Sequence, residues 1–283
     1  MKVSAGMVTF NPETSRLKKS IAAILPQVDQ LIIVDNCSKN FQEIKTICKQ
    51  KASEKIKLIK NSDNLGLSKA YNQIFDASRE KSDWLLILDD DTVCPENLID
   101  EYKNVIGHCS DKIGIISPVL FDSRINQQLW KVKSQNLYSE IDRCISSASL
   151  NNVRALEKIG GFDDRLFIDY VDFDECEKMK KAGYLIIRAN RISIDHQLGD
   201  AKMHKFLFAS VRVTNHSAFR KYYIARNMTF FIRKYHDQID VKKEKLRFFK
   251  VVLFTILYED NKRNKLKNIY KGYRDGKKMD INR

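Results

Sequence analysis

The apolar run Trp84-Leu85-Leu86-Ile87-Leu88 stops abruptly at three consecutive carboxylates, Asp89-Asp90-Asp91. A five-residue apolar segment between polar flanks reads as a strand buried on both faces of a parallel sheet, and such a sheet needs helices packed on either side. In open α/β sheets, ligands bind just beyond strand ends of this kind. At ~4 Å separation and a near-surface dielectric, each like-charged pair costs on the order of 4 kcal/mol, so folding alone does not ask for three anions there. A cation, or hydrogen-bond donors on a ligand, would relieve them. A solvated acidic turn before a helix start at Pro95 is the plainer alternative.

The rest of the first 200 residues repeats the pattern of short apolar runs alternating with helical stretches, as βαβ units do. Val3–Phe10 reads as a strand, followed by an N-cap at Asn11 and Pro12 at the first helical position, opening a helix to about Leu25. Leu31–Val34 is a second strand ending in Asp35-Asn36, Ile56–Ile59 a third, and Leu67–Ala77 a helix before the Trp84 strand. A strand near Ile113–Pro118 follows, then Gly160-Gly161-Phe162, and then a helix from about Asp172 to Ala182. Short strand-like runs occur at Leu185–Ile187 and Ile192–Ile194. There is neither a G-x-G-x-x-G nor a G-x-x-x-x-G-K-[ST] motif, so phosphate must be handled without a glycine-rich cradle.

Charge divides the chain. Residues 1–200 carry 28 Lys and Arg against 29 Asp and Glu, while residues 201–283 carry 22 against 7, a net charge of +15. The domain division expected is 1–200 for the α/β part and 201–283 for a basic, aromatic-rich helical segment. Phe248–Leu257 within that segment is too short to span a bilayer and reads either as a helix lying in a membrane interface or as a core helix. The charge around it favours an anionic membrane surface. Six scattered cysteines without a C-x-x-C pair, and a strand that begins at Met1-Lys2-Val3, point to a reducing cytoplasm.

The helix at Asp172–Ala182 has acidic residues in its first turn and lysines in its last, which the helix dipole by itself favours. The preceding Phe167-Ile168-Asp169-Tyr170-Val171 surrounds those carboxylates with aromatics, a setting in which one of them can act as a general base. His196 is a lone histidine, a residue that is either structural or a metal ligand. Asp195 beside it has no evident part.

Taken in order, these elements resemble the inverting family 2 glycosyltransferases of the GT-A fold, closest to the bacterial rhamnosyltransferases and galactofuranosyltransferases. The matching elements are Val8-Thr9-Phe10-Asn11, Ile33-Val34-Asp35-Asn36, Asn61-x-x-Asn64-x-Gly66 with Ala70-x-Asn72, and Leu88-Asp89-Asp90-Asp91. They continue through Gly160-Gly161-Phe162-Asp163, Phe167 to Asp172, His196-x-x-Gly199 and Tyr222-Tyr223-x-x-Arg226-Asn227. The resemblance implies an α/β, GT-A sheet with flanking helices. It also implies that Thr9 and Asp35 hold the nucleotide base and Asp89 the ribose, with Asn64 and Gly66 in the same nucleotide-sugar region. Asp91 and His196 would hold Mg²⁺ or Mn²⁺, and Asp172 would be the catalytic base. Asp90 has no fixed role in the pattern but adjoins the nucleotide sugar, and Arg226 either pairs with phosphate or lies on a helix surface.

The activity so implied transfers a sugar with inversion, best matched by L-rhamnose from dTDP-rhamnose, to a lipid-linked saccharide in surface polysaccharide or O-antigen synthesis. A galactofuranosyl or other hexosyl transfer from a UDP-sugar is the alternative. The enzyme is expected to be peripheral on the cytoplasmic face of the inner membrane. A basic nucleic-acid-binding protein would explain the charge but not the ordered motifs, so no nucleic-acid partner is expected. A nucleotidyltransferase would need a Gly- and basic-rich N-terminal loop that Val8–Glu13 lacks.

Overall fold

The computed structural model describes residues 1–50, 53–109, 112–123, 127–128, 135–195, 202–206 and 209–281. The chain forms two compact units, Met1–Arg165 with Val171–Gln197, and Leu166–Tyr170 with Leu198–Arg283.

The first unit is built on a sheet of nine strands: β1 (Val3–Thr9), β2 (Gln30–Asp35), β3 (Ile56–Lys60), β4 (Trp84–Asp89), β5 (Ile113–Asp122), β6 (Gln127–Gln128), β7 (Tyr138–Glu140), β8 (Ser149–Asn152) and β9 (Leu185–Asp195). They lie in the order β3-β2-β1-β4-β8-β5-β9-β7, with β6 paired to β5. The pairs β1–β2, β2–β3, β1–β4 and β5–β9 are parallel, whereas β8 runs antiparallel between β4 and β5. The helices of this unit are α1 (Thr14–Ile24), α2 (Phe41–Gln50), α3 (Leu67–Ser78), α4 (Leu98–His108), α5 (Val153–Lys158) and α6 (Val171–Lys181).

Strand β4 explains its own composition. Leu85, Leu86, Ile87 and Leu88 are each at most 1% exposed, so both faces of the strand are covered and no polar side chain is tolerated before its end. Burial of each such side chain contributes about 1.5–3 kcal/mol. Gly6 on β1 is required by close packing, because a Cβ there would run into the Ile74 side chain of α3.

Two expectations are corrected here. Helix α1 starts at Thr14 with Glu13 at the N-cap, not at Asn11. Asn11 takes a left-handed conformation (φ 53°), which asparagine tolerates. Its Oδ1 accepts from the Lys39 N–H at 2.8 Å and its own N–H donates to Ser38 Oγ at 2.8 Å, so it ties the end of β1 to the loop after β2. The runs Leu185–Ile187 and Ile192–Ile194 are parts of one strand, β9, which follows β5 through a register shift at Ser117/Val119.

The second unit contains the antiparallel pair β10 (Lys202–Phe206) and β11 (Ala209–Val213), then α7 (Ala218–Lys234), α8 (Val241–Tyr258) and α9 (Lys262–Lys278). The strand pair was not anticipated, because Lys, His and Arg interrupt the apolar alternation there. Helices α7 and α9 pack backbone to backbone. A Cβ at Gly272 would collide with the Tyr222 carbonyl oxygen, and one at Gly276 with the Arg226 carbonyl oxygen. Lys221 and Lys265, 3% and 4% exposed, converge on the equally buried Glu259, with Lys265 Nζ 3.0 Å from Glu259 Oε2. In α8 only Glu244 and Thr255 are buried, while Leu246, Phe249, Ile256 and Leu257 are exposed. Among the described residues no helix is long and apolar enough to cross a membrane.

Gly272→Ala and Gly276→Ala are each expected to lower stability by the roughly 1–3 kcal/mol of an overpacked contact. Gly107→Ala, in the exposed part of α4 where a Cβ meets nothing within 4 Å, should be neutral or stabilising by up to about 1 kcal/mol. Urea unfolding of the three variants checks this ordering.

Candidate active site

The parallel register aligns the polar residues that end the first strands. Thr9 pairs with Asp35 across β1–β2, and Val8 with Asp89 across β1–β4. Thr9 and Asp35 are both fully buried, and Thr9 Oγ1 donates to Asp35 Oδ1 at 2.9 Å. The other Asp35 oxygen accepts from the Ser38 N–H at 2.9 Å. The carboxylate is thus fixed at the strand edge by short local bonds.

A buried amide network extends this edge towards α3. Asn36 Nδ2 donates to the Gly66 carbonyl (3.1 Å), Asn61 Nδ2 donates to Asn36 Oδ1 (2.9 Å), and Gln73 Nε2 donates to Asn61 Oδ1 (2.8 Å). Asn64 Oδ1 accepts from the Gly66 N–H at 3.0 Å, and Gly66 caps α3 with φ 84°, a conformation open to glycine. Asn64 and Gly66 therefore shape the loop that enters α3.

The three carboxylates after β4 have different surroundings. Asp89 and Asp90 are half-buried and Asp91 is exposed. Burial, followed by the charges of Asp91 and Asp89, pushes the Asp90 carboxyl up to about 7, against a hydrogen bond from the Phe10 backbone. Arg16 Nη1 lies 3.5 Å from Asp91 Oδ2, an ion pair in which both side chains are 46% exposed and which is therefore weak. Three carboxylates crowded at one strand end repel one another, and a cation would relieve that repulsion. Among the described residues no three His, Cys, Asp or Glu side chains are grouped so as to hold a metal ion. His196 and Gly199 lie outside the described residues.

Asp172 sits in the first turn of α6, half-buried, with Oδ1 accepting from the Phe173 N–H at 2.9 Å. Sequence reasoning missed Tyr71 of α3, whose hydroxyl feels the charges of both this carboxylate and Asp89. Its ring is 1% exposed, and its hydroxyl shares a hydrogen bond with Ser146 Oγ at 3.2 Å. Burial, with the charges of Asp89, Asp172 and Glu175, holds the phenol well above its usual range. The charges at the end of β4 and the start of α6 thus both act on this hydroxyl. Tyr71 also packs at a tilt on Phe162, with ring centroids 5.1 Å apart and an interplanar angle of 54°. Beside it, Asn72 donates to the Phe162 carbonyl and accepts from the Phe162 N–H, both at 2.9 Å. Gly161 (φ 66°) leaves room for that pairing, since a Cβ there would crowd Asn72 Oδ1.

Glu175, one turn on from Asp172, is 2% exposed, and burial with the Asp172 charge raises its carboxyl well above the usual range against the pull of Lys178. Asp195 is explained structurally: it accepts from the Ser123 N–H (2.9 Å) and Oγ (2.7 Å) at the ends of β5 and β9.

In the second unit, Arg226 lies over the Tyr223 ring at 4.6 Å and donates from Nε to Asn227 Oδ1 at 2.8 Å. Asp169 and Tyr170 both adopt left-handed conformations, with φ 64° and 67°. Arg220 forks onto Asp169, with Nη2 to Oδ1 at 2.9 Å and Nε to Oδ2 at 3.1 Å.

The glycosyl transferase family 2 pattern matches residues 4–160, more than half of the chain. The chain belongs to glycosyl transferase family 2. The glycosyltransferase is 28% identical over 249 residues to the dTDP-rhamnosyl transferase RfbF of Shigella flexneri, a similarity that spans 83% of this chain and 81% of that protein. Its fold matches the mannosyltransferase PcManGT of Pyrobaculum calidifontis, solved with GDP-Man and Mn²⁺, at a TM-score of 0.60 and 12% identity over 99% of this chain and 76% of that one. It also matches GalNAc-T7, solved with UDP, GalNAc and Mn²⁺, at a TM-score of 0.65 and 12% identity over 99% of this chain and 56% of that one.

Glu175→Gln tests the buried acid. A raised folded-state value means that the native glycosyltransferase holds this proton after the unfolded chain has released it, so native stability falls as pH rises above the unfolded value of about 4.5. The variant is expected to match the parent near pH ~4 and to melt at a higher temperature at pH ~8. Thermal denaturation at the two pH values provides the check.

Proposed function

We propose that this glycosyltransferase moves L-rhamnose, with inversion, from dTDP-rhamnose to a hydroxyl of a lipid-linked saccharide in bacterial surface polysaccharide or O-antigen synthesis. The observation that carries the donor assignment is the similarity to a dTDP-rhamnosyl transferase along most of the chain. Support for the residue roles comes from the charges of Asp89, at the strand edge, and Asp172, on α6, both acting on the Tyr71 hydroxyl.

Thr9 and Asp35 hold the nucleotide base, Asp89 holds the ribose, and the Asn64–Gly66 turn and Asp90 adjoin the sugar diphosphate. Arg226 is assigned to a phosphate. Asp91, with His196, would hold Mg²⁺ or Mn²⁺, which when bound neutralises charge on the diphosphate. Asp172 accepts the proton of the attacking acceptor hydroxyl as the C–O bond to the anomeric carbon forms and the bond to the nucleoside diphosphate breaks. Attack opposite the leaving group inverts that carbon, so no second carboxylate has to act as nucleophile.

The basic α8 supports a working place on the cytoplasmic face of the inner membrane. Leu246, Phe249, Ile256 and Leu257 are exposed among exposed Lys242, Lys243, Lys245, Arg247 and Lys250, a composition suited to an anionic interface.

Asp172→Asn should lower transfer from dTDP-rhamnose by about 10²–10⁴-fold and leave donor affinity nearly intact. Calorimetry of dTDP binding should show affinity that falls on chelation in the parent and no longer responds to chelator in Asp91→Asn. Full transfer by the Asp172 variant would move the base elsewhere, and higher turnover of a UDP-sugar would replace the donor assignment.

Sedimentation with vesicles tests the location. Binding is expected to be strong with anionic lipid, weak with neutral lipid, and reduced in Phe249→Ser/Ile256→Ser. Equal partitioning to both lipids would remove the electrostatic attachment.

A further inference from the structure

Helix α9 carries its charge in an arrangement that folding does not require. Its inward face, with Lys265, Ile269, Gly272 and Gly276, is buried. The opposite face follows the three- and four-residue spacing of a single helix side. Arg263, Lys267, Lys271, Arg274, Lys277 and Lys278 lie on it, all exposed, with Tyr270, 63% exposed, among them. At 1.5 Å per residue the row is about 22 Å long.

These cations oppose the helix that carries them. Arg263 and Lys267, Lys267 and Lys271, and Arg274 and Lys278 are four residues apart, and Lys271 and Arg274 three, so like charges meet across every turn. Lys262 and Arg263 also stand in a first turn without an acidic residue, where the helix dipole disfavours positive charge. The one acid of α9, Asp275, accepts from the Tyr222 hydroxyl of α7 at 2.9 Å. Among the described residues none of the six cations forms an ion pair; Arg274 and Lys277 lie instead over the rings of Tyr270 and Tyr273, at 6.0 and 5.0 Å. An anionic surface spread along the row would relieve the repulsion.

A bilayer and a nucleic-acid backbone both present negative charge in that form, and the neighbouring helix decides between them. Helix α8 meets α9 through Phe248 and Tyr273, with ring centroids 5.8 Å apart, and leaves Leu246, Phe249, Ile256 and Leu257 exposed. Such side chains have no counterpart among the phosphates of a duplex, but the boundary between headgroups and acyl chains accepts them. Tyr270 suits the same boundary, with an apolar ring and a polar tip, as do the long stems of Lys and Arg.

We propose that the outward face of α9 is an electrostatic docking surface for the headgroups of anionic phospholipids, and that this row, rather than α8, sets the preference for anionic over neutral bilayers. Helix α8 then attaches by apolar insertion that is indifferent to headgroup charge. This rests on the membrane location proposed above.

The test compares sedimentation of the full chain with phosphatidylcholine vesicles that contain or lack phosphatidylglycerol. The parent should bind the anionic vesicles more tightly, by a ratio that added salt reduces. Lys267→Gln/Lys271→Gln/Arg274→Gln should lower that ratio on the order of 10²-fold, roughly fivefold for each cation removed, with binding to neutral vesicles within about twofold of the parent. The charge-conserving Lys267→Arg/Lys271→Arg/Arg274→Lys should keep the parent's ratio. Phe249→Ser/Ile256→Ser should weaken binding to both kinds of vesicle and leave the ratio in place. Because the three α9 positions are exposed and glutamine is a good helix former, circular dichroism of the glutamine variant should match the parent.

A parent-like ratio in the glutamine variant overturns the α9 surface and moves the preference to the cations of α8. An equal loss in the charge-conserving variant overturns it as well, by making the effect one of packing. So does tighter binding of the parent to a DNA duplex than to the anionic vesicles at equal salt, lost in the glutamine variant, which would make the row a nucleic-acid surface. Equal partitioning of the parent to both vesicles removes the membrane location itself, and the α9 surface with it.

Discussion

The parallel pairing of β1 between β2 and β4 is the constraint on which the rest of the catalytic unit depends. It forces three strands to end at one edge, and their burial on both faces confines polar side chains to that edge. Thr9, Asp35 and Asp89 are consequently neighbours although 80 residues separate the first from the last. Gly6 belongs to the same constraint: α3 lies close enough on β1 to exclude any side chain, and that closeness brings Tyr71 and the amide network of Asn36, Asn61 and Gln73 to the edge.

Electrostatics then differentiates carboxylates that look alike. Asp89, Asp172 and Glu175 all bear on the Tyr71 hydroxyl, and Asp90 sits between two further acids. Gathering so many anions is costly, and the fold relieves the cost unevenly. Burial raises the Glu175 carboxyl well above its usual range and pushes the Asp90 carboxyl up to about 7, while Asp91 reaches solvent. Burial, more than residue type, therefore differentiates these acids.

The C-terminal unit turns its positive charge to two uses. Lys221 and Lys265 are spent inside the unit on Glu259, joining α7 and α9 beside the contact made by Gly272 and Gly276. Most of the remaining lysines and arginines of α8 and α9 are exposed. The rigid α7–α9 pair also gives the strained Asp169–Tyr170 loop something firm to be held against, since Asn227 and Arg220 both project from α7.

The sequence by itself determined the elements whose signal is local. Apolar runs with polar ends marked β1, β2 and β4, the ordered motifs marked the family, and the charge shift marked the basic segment, because strand burial, turn chemistry and composition act over a few residues. It placed Thr9, Asp35 and Asp89 at strand ends for the same reason. Only the tertiary structure decided what depends on distant neighbours. Asn11 reads as a helix cap until the loop after β2 supplies Lys39 and Ser38, and Asp195 has no evident part until β5 brings Ser123 to it. Tyr71 reads as an ordinary core aromatic until the folded sheet sets it among three acids, and Glu175 as an ordinary helix-start acid until packing removes it from water. The antiparallel β10–β11 pair was hidden because basic residues break the alternation that marks a strand. Hydrogen bonds between remote segments and the dielectric around a buried group are properties of the assembled fold, and no window of sequence contains them.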